Sequence, residues 1–205
     1  MTKVKKVLES QSLPDVLALG HMIGQNIQPG TVTVLSGDLG AGKTQLAAAI
    51  AAGMDIGETI TSPTFALLKH YGTGRIPLNH MDIYRLENAA QLDDLDFWDV
   101  LRPGEPSATL IEWGDMFTEV VDVADIVITL RAGAGAGAGV DTAGGNAGTE
   151  LRAIELQAKS PQGEALIAAV ESGTATENSA VSGSSTMVKN DLVAEGSPAA
   201  ESSET

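Results

Sequence analysis

The chain has 205 residues, a formal net charge of −15 and no cysteine. This length holds one ordinary domain with a sizeable core, and the missing cysteines exclude a disulfide framework or thiolate metal site. The acidic balance argues against unaided nucleic-acid binding, which needs Lys and Arg to displace counterions.

No apolar run reaches membrane-spanning length, and Lys3, Lys5 and Lys6 are not followed by the apolar stretch of a secretory leader. A cytoplasmic protein with no membrane association is therefore expected. In chain order, apolar positions at helical spacing, among them Leu17, Met22 and Ile23, predict a helix over Leu13 to Ile27, closed by Pro29-Gly30. Thr31 to Leu35 is β-branched and apolar, as a buried strand of a parallel sheet should be. Next comes Gly37-Asp38-Leu39-Gly40-Ala41-Gly42-Lys43-Thr44, a complete phosphate-binding loop. Its glycines let consecutive backbone N–H groups point inward at phosphate oxygens. Lys43 can bridge β- and γ-phosphates, and the Thr44 hydroxyl can ligate Mg²⁺. Gln45 opens a run of strong helix formers stopped at Gly53, so strand, loop and helix N-terminus follow in the order that phosphate binding requires.

Ser62-Pro63-Thr64 leads into Phe65 to Tyr71, read as a strand, and a Gly72-Thr73-Gly74 turn separates it from a hairpin partner over Ile76 to Tyr84. The two hydroxyls of Ser62 and Thr64 on a rigid turn suit the sensing of a γ-phosphate; a plain strand-initiating turn is the other reading. Alternation places His80, Asp82 and Tyr84 on one face, looking toward a nucleotide or forming a polar hairpin face. Glu87 to Leu101 carries Leu92, Leu95 and Trp98 at helix-like intervals and the acids Asp93, Asp94, Asp96 and Asp99. That acidic cluster reads as a solvated helix face, or as a docking face for a basic partner. Ala108 to Ile111 is a buried strand ending at Glu112-Trp113. Glu112 stands at the carboxyl edge, where ligand sites of parallel sheets gather, and is the expected acidic partner of Thr44 on the metal. Trp113 can stack on a base or pack the core. Ala124 to Leu130 and Glu150 to Leu156 are the last strand candidates, with a final helix over Gly163 to Val170. The Gly-Ala run of 132–148 reads as a flexible insert, and 172–205 as a disordered acidic low-complexity tail, leaving 1–171 as the domain. Strands alternating with helices around a phosphate loop predict a three-layer α/β fold of the P-loop NTPase type, with a central mixed, largely parallel sheet.

Four blocks in series carry a resemblance. Gly37 to Thr44, then Ser62-Pro63-Thr64-Phe65, then His80-Met81-Asp82-Ile83-Tyr84-Arg85-Leu86, then Ile111-Glu112-Trp113 resemble the TsaE (YjeE) family in order and spacing. This family is the bacterial P-loop ATPase subunit of the machinery that makes threonylcarbamoyladenosine beside the tRNA anticodon. The resemblance spans about residues 12–131 and, more weakly, 149–170. It implies Thr44 and Glu112 as metal ligands, Asp82 as an essential aspartate and Ser62 to Thr64 as a switch-like segment. It also implies nucleotide contacts near Ser12 and Arg152. The activity it implies is a weak ATPase that works with a TsaD-like and TsaB-like pair. That pair carries out N6-threonylcarbamoylation of adenosine 37, so tRNA is met only through the complex. ATP binding would promote docking, and hydrolysis would reset the complex between turnovers. The chain departs from the family in its Gly-Ala insert, its long tail and the lack of the proline commonly seen after Trp113.

The expected site is therefore Lys43, Asp82 and Glu112 in catalytic roles. Residues 37–45, Ser62, Thr64 and Trp113 contact ATP, and Thr44 and Glu112 hold Mg²⁺. The alternative is a P-loop small-molecule kinase, which would usually bring arginines over the transferred phosphoryl group. The chain has only Arg75, Arg85, Arg102, Arg131 and Arg152. A nucleotide-gated binding module without catalysis is a third possibility.

Overall fold

The computed structural model describes residues 4–95, 97–102, 104, 106–132 and 152–184. Seven strands form one sheet: β1 (Lys5–Gln11), β2 (Val32–Gly37), β3 (Leu68–Tyr71), β4 (Leu78–Asp82), β5 (Ala108–Glu112), β6 (Ile126–Ala132) and β7 (Arg152–Ala158). Their spatial order is β1-β7-β6-β2-β5-β4-β3. The central strands β6, β2, β5 and β4 pair in parallel, while β7 and β3 run antiparallel to their neighbours. β1 is antiparallel to β7 and so shares the sense of the parallel core.

The helices are α1 (Leu13–Asn26), α2 (Lys43–Gly53), α3 (Phe97–Val100), α4 (Thr118–Val123) and α5 (Pro161–Ser184). α1 begins at a capping box: Ser12 Oγ accepts from the Asp15 N–H, and the Asp15 carboxylate accepts from the Ser12 N–H. Both faces of the sheet are covered, so the central strands β4 and β5 are buried along their whole length. On one side Ile23 of α1, Leu46 and Ile50 of α2 and Ile167 of α5 pack with Leu35 and Ile128. On the other, Leu92, Phe97 and Val120 pack against Val34, Met81 and Ile111. The result is the expected three-layer α/β fold. Among the described residues no helix is long and apolar enough to cross a membrane.

Several boundaries differ from the sequence reading. β1 adds an edge strand where the charged N-terminus showed no clean alternation; Lys5 is tied to Glu155 and Lys6 to Glu171 by exposed ion pairs. β3 starts only at Leu68. Residues 64–67 form a turn closed by the Leu67 N–H on the Pro63 carbonyl, with Leu67 at φ 64, and this takes the backbone out of the ladder. The acidic segment is not one α-helix but a 3₁₀ stretch, Ala89–Leu95, followed by the single turn of α3. It buries Leu92 and Phe97 and leaves Trp98 outside, donating from Nε1 to Asp93. α5 continues past Ser172, where composition placed the start of the tail, to Ser184. Once Leu166, Ile167 and Val170 dock, each added residue costs only helix propagation. The rest of the tail call, 185–205, and nearly all of the Gly-Ala insert, 133–148, lie outside the described residues.

Candidate nucleotide-binding site

Because β2, β5 and β4 are parallel neighbours, their carboxyl ends meet at one edge of the sheet. Leu35 of β2 pairs with Glu112 of β5, and Glu112 pairs with Asp82 of β4. The phosphate loop leaves β2 at this same edge and enters α2. The loop, Asp82 and Glu112 are thus brought together by strand register alone, although they are far apart in sequence.

They surround an open cleft of about 550 Å³. Leu39, Gly40, Gly42, Lys43, Thr44 and Gln45 line it from the loop and the start of α2. Ser62, Thr64, Asp82, Glu112 and Trp113 line it from the other elements, together with Tyr84. Of the expected site residues, Gly37, Asp38 and Ala41 do not line the cleft but shape the loop. The Ala41 N–H donates to the Asp38 carbonyl at 3.1 Å. Gly37 sits at φ 133, and a Cβ there would stand 2.2 Å from the Leu130 carbonyl of β6, so only glycine fits between the two strands.

Lys43 is buried at the foot of the cleft. Its Nζ donates to the Gly37 carbonyl at 2.6 Å and the Asp38 carbonyl at 2.9 Å. The face of Trp113 lies 3.4 Å from the same nitrogen, a cation–π contact. Burial pushes the Lys43 ammonium below its ordinary pKa, against the opposing pull of Glu112, Asp115, Asp82 and Asp38. Trp113 itself has a left-handed backbone, φ 66, and its N–H donates to Leu35 at 2.9 Å. The Tyr84 ring lies against it, centroids 4.8 Å apart. Trp113 therefore neither sits wholly in the core nor lies free; it covers the loop lysine.

Two carboxylates organise the remaining hydroxyls. Glu112 Oε2 accepts from Thr44 Oγ1 at 2.9 Å, and Glu112 Oε1 lies 2.9 Å from His80 Nε2. Asp82 Oδ2 accepts from both Ser62 Oγ (2.5 Å) and Thr64 Oγ1 (2.7 Å), while Oδ1 accepts the Tyr84 N–H at 3.2 Å. The Ser62-Pro63-Thr64 turn is thus anchored on Asp82. Of the hairpin's polar face Asp82 and Tyr84 line the cleft, while His80 is buried against Glu112.

Sequence reasoning assigned no role to Asp115, whose carboxylate accepts from Ser36 Oγ at 2.6 Å just before the loop. Its only signal was an acid placed shortly after Glu112-Trp113. Tyr84 was placed on the right face but not on the cleft wall. Ser12 is the N-cap of α1, and Arg152 starts β7 opposite Gln11 and Ala132.

Among the described residues no group of three or more His, Cys, Asp or Glu side chains could hold a metal ion by itself. Thr44 and Glu112 do supply two oxygens side by side on the cleft wall. That partial set fits a hard cation such as Mg²⁺, which keeps several waters and takes further oxygens from phosphates.

A phosphate loop at the carboxyl edge of a largely parallel three-layer sheet defines a protein of the P-loop NTPase class. Residues 10–137 match the family model described as threonylcarbamoyl adenosine biosynthesis protein TsaE, and the chain belongs to that family. Relatives named tRNA threonylcarbamoyladenosine biosynthesis protein TsaE include one from Nostoc, 44% identical over 48% of this chain and 62% of its own length. Another, from Treponema pallidum, is 37% identical over 60% of this chain and 88% of its own length. The match to the Mycobacterium tuberculosis H37Rv relative is 41% identical and spans 66% of that protein. The chain thus spans just under two thirds of the Nostoc and Mycobacterium tuberculosis relatives. The crystal structure of Bacillus subtilis YdiB shares the fold, with a TM-score of 0.62 and 24% identity over 85% of this chain and 99% of that one.

Proposed function

We propose that this chain is the ATP-binding and ATP-hydrolysing subunit of a cytoplasmic tRNA threonylcarbamoyladenosine machinery. It would act with TsaD-like and TsaB-like proteins so that modification of adenosine 37 can turn over. The observation that carries the reading is the convergence of Thr44 and Glu112, 2.9 Å apart, beside Lys43 in the cleft of a TsaE-family chain. Loop N–H groups and Lys43 would hold the β- and γ-phosphates. Thr44 and Glu112 would hold Mg²⁺, which when bound neutralises charge on the phosphate oxygens. Asp82, through Ser62 and Thr64, would fix the segment that meets the γ-phosphate, and so couple nucleotide state to that turn. Gln45 and Trp113 would complete the nucleotide contacts. The acidic surface leaves tRNA to the partners. We also infer that residues 172–205 add nothing to nucleotide binding.

The kinase alternative has less support. Among the described residues no arginine lines the cleft. Arg75 is committed to the Gly24 and Ile27 carbonyls, Arg102 to Asp99, and Arg85 to the face of Phe65. The test is a reconstituted modification assay with TsaD-like and TsaB-like proteins, tRNA and ATP. Wild type should sustain repeated rounds, whereas Asp82→Ala and Glu112→Ala should stall early. Retention of a TsaD-like protein only when ATP is present would support the docking step. Repeated rounds by both variants at the wild-type rate would overturn the proposal, as would stoichiometric phosphorylation of a small acceptor.

A further inference from the structure

His80 is fully buried in β4, yet its imidazole is polar and one of its nitrogens meets the candidate cation ligand. Nε2 lies 2.9 Å from Glu112 Oε1, and Glu112 is itself only 2% exposed. The other carboxylate oxygen, Oε2, accepts from Thr44. The two oxygens of Glu112 are therefore claimed by different partners on opposite sides. The register explains the placement: His80 pairs with Leu110 and Asp82 with Glu112, so His80 stands one pleat below Glu112 on the same face of the sheet.

An ionised carboxylate only accepts hydrogen bonds, so the proton of this contact sits on Nε2. Nδ1 is buried and has no hydrogen-bond partner among the described residues. Nε2 is thus the donor of this contact and Glu112 Oε1 its acceptor.

We propose that His80 is a positioning residue for Glu112. Through its Nε2 contact it pins Oε1 in the interior, which keeps Oε2 turned to Thr44 and the cation side of the cleft. The logic is that of outer-shell partners that orient metal-binding carboxylates. The proposal rests on Glu112 acting as a cation ligand, as proposed above. A purely core-filling histidine would pack as well with any side chain of its size and would leave the site indifferent to its donor.

The full chain tests this in two ways. In ¹⁵N-histidine NMR without nucleotide, the resonance that disappears in His80→Gln should show a proton on Nε2, the donor to Glu112. In nucleotide titrations with and without Mg²⁺, His80→Leu should lose about tenfold in the Mg²⁺-dependent gain of ATP affinity. Its Mg²⁺-free affinity should stay close to wild type. His80→Gln, whose Nε2 offers a donor near the same place, should recover most of the gain even if His80→Leu fails to fold. Glu112→Ala separates the two ideas. If Glu112→Ala removes the Mg²⁺ gain and His80→Leu keeps it, the positioning role is wrong. If Glu112→Ala keeps the gain, the cation-ligand reading beneath it is wrong. An Nε2 without a proton would also overturn the proposal.

Discussion

Replacing Gly37 with alanine tests whether the sheet and the phosphate loop are one mechanical unit. At this position φ is 133 and an added Cβ would stand 2.2 Å from the Leu130 carbonyl, a backbone atom of β6 with no rotamer to yield. The backbone conformation alone costs a side-chain-bearing residue about 1–3 kcal/mol. Prising β2 from β6 at the Gly37–Leu130 pair forfeits about 0.5–1.5 kcal/mol for a ladder hydrogen bond, so the sum is about 1.5–4.5 kcal/mol. Gly40→Ala is the control. Gly40 also has a positive φ, 78, but a Cβ there meets nothing within 4 Å. Only the conformational cost of about 1–2 kcal/mol applies to it. Urea unfolding followed by tryptophan fluorescence should separate the two variants by at least 1 kcal/mol, about the net worth of one hydrogen bond. Equilibrium dialysis should also show weaker ATP binding in Gly37→Ala, because the Gly37 carbonyl holds Lys43. Equal stabilities for the two variants would refute the reasoning, since the steric term would then be absent.

Lys43→Met should lose ATP binding by about 100-fold or more, the scale of a lost charge-assisted contact to phosphate, measured by calorimetry. The same change should leave the nucleotide-free protein as stable as wild type or more so, because burial disfavours the Lys43 charge. Below its lowered folded pKa that destabilising effect is fully present, and it disappears as pH rises toward the unfolded value. Wild-type stability should therefore gain on Lys43→Met in alkaline unfolding curves; a loss would contradict the direction of the shift. Asp82→Ala should slow ATP hydrolysis by about 10²-fold or more while ATP affinity changes by less than about threefold. A phosphate-release assay beside a binding titration reads both, and unchanged hydrolysis would remove Asp82 from the mechanism. Ending the chain after Ser184 should leave ATP affinity within about twofold, inside the noise of about 0.4 kcal/mol; a tenfold loss would make 185–205 part of the site.

How much of this could be read from the sequence depends on the kind of interaction. The loop, Thr44 and Glu112 were legible because local order and strand ends announce them: an apolar strand, a glycine loop, a helix, then an acid closing a second apolar strand. Asp82 was legible as a position but not as a contact. Its hold on Ser62 and Thr64 crosses from the loop before β3 to the end of β4 and leaves no periodic trace. The same contact, with the closed turn at Leu67, is why the strand expected from Phe65 begins late. Trp98 looked like an inward helical position because a spacing of 3.6 was assumed. The tighter 3₁₀ winding before it turns Leu92 and Phe97 inward instead. β1 was hidden by its lysines, which suit an exposed edge strand and mask its pairing.

The contact between Trp113 and Lys43 makes nucleotide capture a substitution. The lysine nitrogen already has two carbonyls and an indole face as partners, so a phosphate must replace neighbours rather than fill a gap. Those standing contacts weaken the hold on a phosphate bound as proposed above. The indole over Lys43 also gives the protein a native optical signal at this site.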